Sequence, residues 1–258
     1  MKSLSSNAFL EYAKVRKVIL LHNNKEEILE NIKEDDVIEQ LYILGDFHKR
    51  VMGYDNYIGH RLEDKRGRMV EQYKVYIKKV KREYSVIKDK VIHNNFEELV
   101  LKYGEEYINR AQESIDIIYK NSYLELIKRS MNRIEVCLGN AYYTDLKRKE
   151  YIEASNLNNC FYDLVEIDAV YFFNKLLKSG AKLNYRSLIK KFCEIEGLDE
   201  RSERVIEALV AYPQEFMKCC SKYSRSYGNV DVEKYTSKLK KIIDNDSFSL
   251  LQGEVGSC

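Results

Sequence analysis

Residues 133 to 145, from Arg133 to Asp145, have the sequence RIEVCLGNAYYTD and contain the turn on which the fold assignment depends. Within it, Glu135 to Leu138 is a short, mainly apolar run that is typical of a strand. A Gly-Asn pair then predicts a tight turn, and two tyrosines and an aspartate follow it. A strand that ends in such a turn is a common way to present catalytic groups. Either this turn is catalytic, or it only has the shape of a turn that is catalytic in relatives.

Composition limits the class of protein. The chain has 258 residues, which is enough for a sizeable core in one large domain or two small ones. Charged residues make up 33 %, but the formal net charge is only +2, so nothing global requires nucleic acid or an anionic membrane as a partner. One proline and 11 glycines favour long helices. The 21 tyrosines fit either a loosely apolar core or a contact surface.

Cysteine spacing and hydropathy predict where in the cell the protein is found. No C-x-x-C pair and no zinc-like Cys/His cluster occurs, so we interpret the cysteines as reduced, mostly buried thiols of an intracellular protein. The N-terminus lacks the apolar core of a signal peptide, and no run approaches the roughly 20 apolar residues of a membrane span. We therefore expect a cytoplasmic protein that does not contact a membrane. The six cysteines are Cys137, Cys160, Cys193, Cys219, Cys220 and Cys258.

Helical periodicity covers most of the chain. The predicted exceptions are a strand over Tyr12–His22, a polar loop over Gly53–Gly67, and a β-hairpin whose strands are 135–138 and 150–154, with Lys147-Arg148-Lys149 in its turn. The fold class is therefore mainly α with a small β-hairpin. The predicted helices cover residues 35–50, 69–90, 96–120, 123–132, 165–177, 185–196, 200–210, 213–223 and 232–243.

Two local features of the helices carry further expectations. Asn95 is the predicted N-cap of the helix that begins at Phe96. The helix from Met69 has a lysine-rich face, which is usually only solvated and otherwise forms a surface for phosphate or an acidic partner. That face contains Lys74, Lys78, Lys79 and Lys81.

Three stretches together resemble one family. The first, Leu44 to Tyr54, has the sequence LGDFHKRVMGY; the second runs from Cys137 to Leu164 and includes CLGN and YDL; the third runs from Ala211 to Tyr223 and includes AYPQEF. In order and spacing they are similar to the C-terminal lobe of the CotS-type spore-coat proteins. These are bacterial sporulation proteins with the protein-kinase-like fold of aminoglycoside and choline phosphotransferases. The resemblance covers about residues 12 to 245.

The resemblance implies a division of the chain into three segments. Residues 1–33 are expected to be the remnant strand and hinge of an N-lobe, residues 34–245 a helical kinase-like C-lobe, and residues 246–258 a flexible tail. Too few residues precede the first long helix for a complete N-lobe, and no glycine-rich phosphate loop is present. We therefore expect that most of the half of the cleft that would clamp ATP is missing.

The resemblance also assigns positions to a catalytic loop. Active relatives have H-G-D followed five positions later by N, and a metal-binding aspartate at the end of a later strand. The equivalent positions here are Leu138-Gly139-Asn140, Asp145 and Asn156. Asn140 cannot act as a base, Leu138 replaces a polar group that braces the loop, and Asn156 offers a carbonyl oxygen where a carboxylate should hold a hard cation. Asp145 is the one weak candidate metal ligand, so no confident catalytic or metal site is predicted.

Three further residues are expected to be structural. The resemblance places Asp168 on a helix, where it hydrogen-bonds the catalytic-loop backbone, although metal binding and simple exposure remain alternatives. Asp163 lies in the same segment and is grouped with it as a loop-bracing residue. His48, beside Phe47, is predicted to be a packed, hydrogen-bonded histidine rather than a base or a ligand.

Three functions remain open. The first is a non-catalytic kinase-like (pseudokinase) scaffold of the spore-coat type, which binds other coat or sporulation proteins or itself, in the mother cell and then in the coat, and needs no cofactor. The second is a residual phosphotransferase that uses ATP and Mg²⁺ with Asp145 and Asp163. The third is a helical nucleic-acid binder that uses the face from Lys74 to Arg82; the balanced charge argues against it.

Overall fold

The computed structural model describes residues 2–21, 32–55, 61–139, 141–142, 145–223 and 231–246, and the side chains from residue 8 onward in those ranges. The helices are α1 (Lys2–Val15), α2 (Glu34–Val51), α3 (Arg68–Lys88), α4 (Asn95–Lys120), α5 (Tyr123–Arg133), α6 (Glu166–Lys178), α7 (Tyr185–Glu196), α8 (Glu200–Ala211), α9 (Gln214–Tyr223) and α10 (Val232–Asn245). The strands are β1 (Val18–Leu20), β2 (Glu63–Asp64), β3 (Val136–Cys137), β4 (Leu146–Arg148), β5 (Ile152–Ala154) and β6 (Phe161–Tyr162). Along these ranges, no helix is both long and apolar enough to cross a membrane.

The chain divides into two compact units. The first unit comprises Met1–Gly67 and Asn121–Glu207, and the second comprises Arg68–Lys120 and Ala208–Cys258. All six strands belong to the first unit, together with α1, α2, α5, α6, α7 and most of α8. The second unit contains α3, α4, α9 and α10 and the end of α8.

The first unit has two small sheets of three strands each. One has the order β1-β5-β4, in which β5 runs parallel to β1 and antiparallel to β4. The other has the order β2-β6-β3, in which β6 runs parallel to β2 and antiparallel to β3, so that Val136 lies opposite Tyr162. The second sheet therefore joins the strand before the Gly-Asn turn to the strand before α6.

The second unit is a helical bundle in which α3 and α4 pack together and α10 packs on α4 and α9. Its core is rich in stacked rings. Tyr73 and Tyr212 stack with ring centroids 3.7 Å apart, and the Tyr212 hydroxyl donates to the backbone oxygen of Tyr73. Tyr107 and Phe216 stack at 3.9 Å. These tyrosines lie in the core and bury both ring faces.

Each predicted helix corresponds to an observed one within a few residues, but the prediction for the N-terminal segment was wrong. Residues Tyr12 to Val15 belong to α1 rather than to a strand, because Phe9 and Ala13 are buried one helical turn apart. Lys17 has a φ of +61°, and the chain turns there into β1.

The predicted hairpin was also wrong in its pairing. β5 pairs with β4, so Lys147 and Arg148 lie in a strand and the tip begins at Lys149. β3 pairs with β6 instead. The predicted loop from Gly53 to Gly67 contains the short strand β2. Short strands carry little periodicity, so their partners cannot be read from alternation.

The cap of α4 lies one residue before the predicted one. The Asn94 side chain accepts hydrogen bonds from the backbone N–H groups of Phe96 and Glu97, each at 3.1 Å, and Glu97 accepts in return from the Asn94 N–H. This reciprocal arrangement is a capping box, and it makes Asn95 the first residue of the helix.

The described cysteines are all buried and free, and Cys258 lies outside the described residues. Of the predicted tail, only Asp246 is described. Arg110 donates to both of its carboxylate oxygens, at 2.7 and 3.0 Å, so this residue is held against α4.

Candidate functional site

The turn after β3 is built around Gly139. Its φ is +78°, a region that favours glycine, and a Cβ there would overlap the backbone oxygen of Asn159 and lie 2.9 Å from the Phe161 ring. Leu138, before it, is buried. Asn140 lies outside the described residues. The close approach of the turn to the strand β6 therefore requires a residue without a side chain at position 139.

Asp168 on α6 holds this turn by its backbone. The fully buried carboxylate accepts hydrogen bonds from the N–H of Leu138 at 2.5 Å and from the N–H of Gly139 at 3.0 Å. Because two successive amides point at one carboxylate, the backbone of the turn has a single orientation relative to α6. This is the backbone contact that the resemblance implied for Asp168.

His48 on α2 lies between two buried carboxylates. Its Nε2 is 3.0 Å from Asp168 and its Nδ1 is 2.7 Å from Glu196 on α7. Burial lowers the pKa of His48, but attraction to Glu196 and hydrogen bonds to Asp168 and Glu196 outweigh it and raise the pKa to about 10. The imidazole is therefore charged at neutral pH and donates from both nitrogens.

Asp163, between β6 and α6, faces a different set of groups. Its carboxylate accepts from the Leu164 N–H at 2.9 Å, and its backbone oxygen accepts from the Ser130 hydroxyl. Burial raises the pKa of Asp163 to about 8, opposed by the Leu164 N–H and the positive charge of Arg66 and increased by the charge of Asp168. The Asp163 carboxylate thus accepts from the next residue in the chain, whereas the Asp168 carboxylate accepts from the turn itself.

The acid at the far end of the turn, Asp145, contacts a hydroxyl. Ser155 donates to its carboxylate at 2.9 Å, and the Ser155 N–H donates to its backbone oxygen at 2.8 Å. The predicted metal position, Asn156, is exposed, and its side chain accepts instead from the N–H of Asn158. The residue that the structure brings against Asp145 is therefore Ser155, not Asn156.

A lysine completes this part of the site. Lys175 on α6 is half-buried, with its ammonium 5.0 Å from the centre of the Tyr142 ring. Burial lowers the pKa of Lys175, and the carboxylates of Asp145 and Asp168 oppose that shift. Across the described ranges, no group of three His, Cys, Asp or Glu side chains is arranged to hold a metal ion.

Sequence reasoning missed a buried ion network at the start of β3. Arg129 donates to both carboxylate oxygens of Glu135, at 3.0 and 3.1 Å, and to both of Glu166, at 2.9 and 2.7 Å. It also donates to the hydroxyl of Ser202. Burial raises the pKa of Glu135, and Arg129 opposes the shift. The one clue in the sequence was a glutamate at the start of an apolar strand.

The chain is similar in structure to the aminoglycoside phosphotransferase from Alicyclobacillus acidocaldarius subsp. acidocaldarius. The TM-score is 0.67 at 10 % sequence identity, and the match covers 95 % of this chain and 79 % of that one. No family model matches the sequence, and neither does any curated protein.

The similarity confirms the predicted fold class. This is a mainly helical chain with small sheets and the kinase-like fold of an aminoglycoside phosphotransferase.

A first prediction tests the close contact between Gly139 and the backbone of Asn159. Gly139→Ala should destabilise the protein by about 1–3 kcal/mol more than Gly180→Ala, because the added methyl group meets the backbone of Asn159. Gly180 is the matched control: it also has a φ of +78°, but a Cβ there meets nothing within 4 Å. Urea unfolding measures both. Equal losses for the two variants would contradict the described packing at the turn.

A second prediction concerns pH. The folded-state pKa of His48, about 10, lies above the unfolded value of 6.5, so its contribution to stability is complete below about pH 6.5 and is lost as the pH rises towards 10. His48→Gln should cost about 3–5 kcal/mol near neutral pH, because it leaves Asp168 and Glu196 without their cation. It should also remove this part of the pH dependence.

The measurement is the free energy of unfolding from pH 6 to pH 9. The control is His93→Gln, since His93 contacts only the backbone oxygen of Ile87 among its described hydrogen bonds. If His48→Gln retained the decline with pH, the assignment of that decline to His48 would be wrong.

Proposed function

We propose that this protein is a non-catalytic, kinase-like scaffold of the spore-coat type, acting through protein-protein contacts. The observation that carries the proposal is the contact between Asp145 and Ser155 at 2.9 Å. The resemblance places one Mg²⁺ ligand of a phosphotransferase at Asp145, and the side chain that faces this carboxylate is a hydroxyl rather than a second carboxylate.

Phosphoryl transfer depends on positioning and on neutralising charge, and the metal ions supply most of that neutralisation. Mg²⁺ binds through one or two carboxylates together with the phosphates of the substrate. Here the Asp145 carboxylate already accepts from Ser155, and Lys175 is nearby. The negative charge of Asp145 is therefore balanced by groups of the protein itself, which makes the binding of a metal cation there less favourable.

The shape of the turn does not depend on those lost charges. His48 and Asp168 hold it from within the first unit, and neither side chain is exposed to a substrate. The resemblance places Asn140 at the position of the catalytic base and Leu138 at that of a loop-bracing polar group. A catalytic-loop outline with these residues is what we expect of a protein selected for its surface.

The proposed partners are other coat or sporulation proteins, or a second copy of the chain, and this part of the proposal comes from the sequence resemblance. The exposed apolar side chains Leu124 and Met131, 61 and 56 % exposed on one side of α5, are consistent with contact surfaces. The proposal includes no cofactor, no membrane and no nucleic acid. On the lysine-rich face, Lys74 already donates to Glu71, and Lys81 to Gln112.

The alternative is a residual phosphotransferase that binds ATP and Mg²⁺ through Asp145 and Asp163. The two carboxylates have different surroundings: Asp145 faces Ser155, while Asp163 is buried beside Leu164 with its pKa raised to about 8. A carboxyl group that is largely protonated near neutral pH is a weak metal ligand, so the geometry favours the scaffold.

Calorimetric titration with ATP, with and without Mg²⁺, distinguishes the two. We expect no binding component that requires Mg²⁺, and we expect Asp145→Ala to give the same titrations as the natural protein. Saturable, Mg²⁺-dependent binding that disappears in Asp145→Ala would establish the alternative.

The variant Ser155→Asp tests the geometric basis directly. It places a second carboxylate against Asp145, so it should lower stability by about 1 kcal/mol through like-charge repulsion and regain that stability when Mg²⁺ is added. Ser155→Asn is the neutral control of the same size and should not respond to Mg²⁺. A lack of Mg²⁺ response in Ser155→Asp would show that the two positions do not face a common cation site.

The scaffold role has its own test in cells. In a spore-forming host, a tagged copy should be found in the mother cell and then in the coat fraction, and Asp145→Ala should distribute in the same way. Retention in the mother cell without entry into the coat, or an effect of Asp145→Ala on assembly, would contradict the proposal.

A further inference from the structure

A cleft of about 450 Å³ lies in the first unit, away from the turn described above. Its walls are the C-terminal half of α2, the β4–β5 hairpin and the end of α7. The hairpin side includes two basic residues, Arg148 at the end of β4 and Lys149 at the tip, which the kinase-like site does not use. The cleft is lined by Tyr42, Asp46, Lys49, Arg50, Arg148, Lys149, Tyr151, Ile152 and Ile195.

The charge of the lining is strongly positive. Four cationic side chains face one carboxylate, Asp46, which accepts from Arg50 at 3.0 and 3.1 Å and from Arg148 at 2.9 Å. Burial alone would raise the pKa of Asp46, but these two arginines outweigh it and lower the pKa. Asp46 therefore stays charged, and it acts as an anchor that orients both guanidinium groups.

Arg50 uses its donors within the protein, on Asp46 and on the backbone oxygens of Arg16 and Lys17, but the other three cations keep donors that no described hydrogen bond uses. Among the described hydrogen bonds, Lys49 donates only to the backbone oxygen of Ile195, Arg148 only to Asp46, and Lys149 only to Glu153. An ammonium has three N–H donors and a guanidinium has five. Arg148 and Lys149 are 48 and 66 % exposed, so their remaining donors can reach a ligand.

We propose that this cleft binds a small molecule that carries two or more phosphate groups. Lys49 on α2 and the Arg148-Lys149 pair on the hairpin lie on different walls, so a ligand with several anionic groups can bridge them. Arginine forks match phosphate oxygens in pairs, and lysine acts as a point charge beside them. The rings of Tyr42 and Tyr151 and the side chain of Ile152 supply the apolar wall that small-molecule sites have.

The size of the cleft favours a small molecule over an acidic protein segment. A volume of about 450 Å³ is within the range of ligand pockets. A stable protein partner would bury roughly 800 Å² on each side, which needs a longer surface than the nine lining residues offer. The proposal does not depend on the scaffold function or on the state of the Asp145 site.

The test is titration calorimetry with inorganic tripolyphosphate at low salt, without Mg²⁺. We expect saturable binding at one site, weakened about tenfold by Lys49→Gln and about tenfold by Arg148→Gln, since each removes a charge-assisted hydrogen bond. The matched control is Lys78→Gln on α3, an exposed lysine whose loss changes the net charge equally and should leave the affinity unchanged.

Two features of the experiment ensure that the titrations can contradict the proposal. If Arg148→Gln loses stability because Asp46 is freed, Lys49→Gln still tests the site, since Lys49 contacts only a backbone oxygen among its described bonds. Added Mg²⁺ should weaken this binding because it neutralises the phosphates, whereas binding at Asp145 would require Mg²⁺. The two sites are therefore distinguishable in one set of titrations.

Three outcomes would overturn the proposal. The first is the absence of saturable binding, and the second is an equal loss of affinity in Lys78→Gln, which would show diffuse attraction to the whole surface. The third is tighter binding of a ten-residue polyglutamate peptide than of tripolyphosphate through Lys49 and Arg148, which would assign the cleft to an acidic protein segment.

Discussion

The charged His48 between Asp168 and Glu196 is the interaction on which the rest of the first unit depends. It joins α2, α6 and α7 at a fully buried point, and it fixes Asp168 so that both of its oxygens accept from the turn after β3. A buried pair of carboxylates without a cation would repel and would be costly to desolvate. One imidazolium therefore sets the position of three helices and of the backbone at Leu138.

The network around Arg129 is a second case in which one cation neutralises two buried carboxylates. There one guanidinium neutralises Glu135 and Glu166, and it fixes the start of β3 relative to α6. The strand is thus held before its first residue by Arg129 and after its last residue by Asp168. Both ends of this strand are therefore fixed by buried charge.

Two kinds of element could be predicted from the sequence: long amphipathic helices, and a turn that needs glycine because its φ is positive. The helices from α2 onward and the turn at Gly139 could be predicted because amphipathic spacing and positive φ leave a local trace. Three contacts could not be predicted from the sequence: the pairing of β3 with β6, the hydrogen bond from Ser155 to Asp145, and the hydrogen bond between His48 and Glu196. Each joins residues whose separation is fixed only by tertiary packing, and His48 and Glu196 are 148 positions apart.

The placement of Asp145 shows why the shape of a turn and its chemistry can separate. The groups that hold the turn lie on α2, α6 and α7, whereas Asp145 and Ser155 lie directly before β4 and directly after β5. A change of Ser155 to a carboxylate, or the reverse, alters that pair without touching His48 or Asp168. The Ser155 hydroxyl that faces the single carboxylate of Asp145 is satisfied by one hydrogen bond, so this pair needs no cation between its members. The backbone of the turn and the side chains along it are therefore held by different groups.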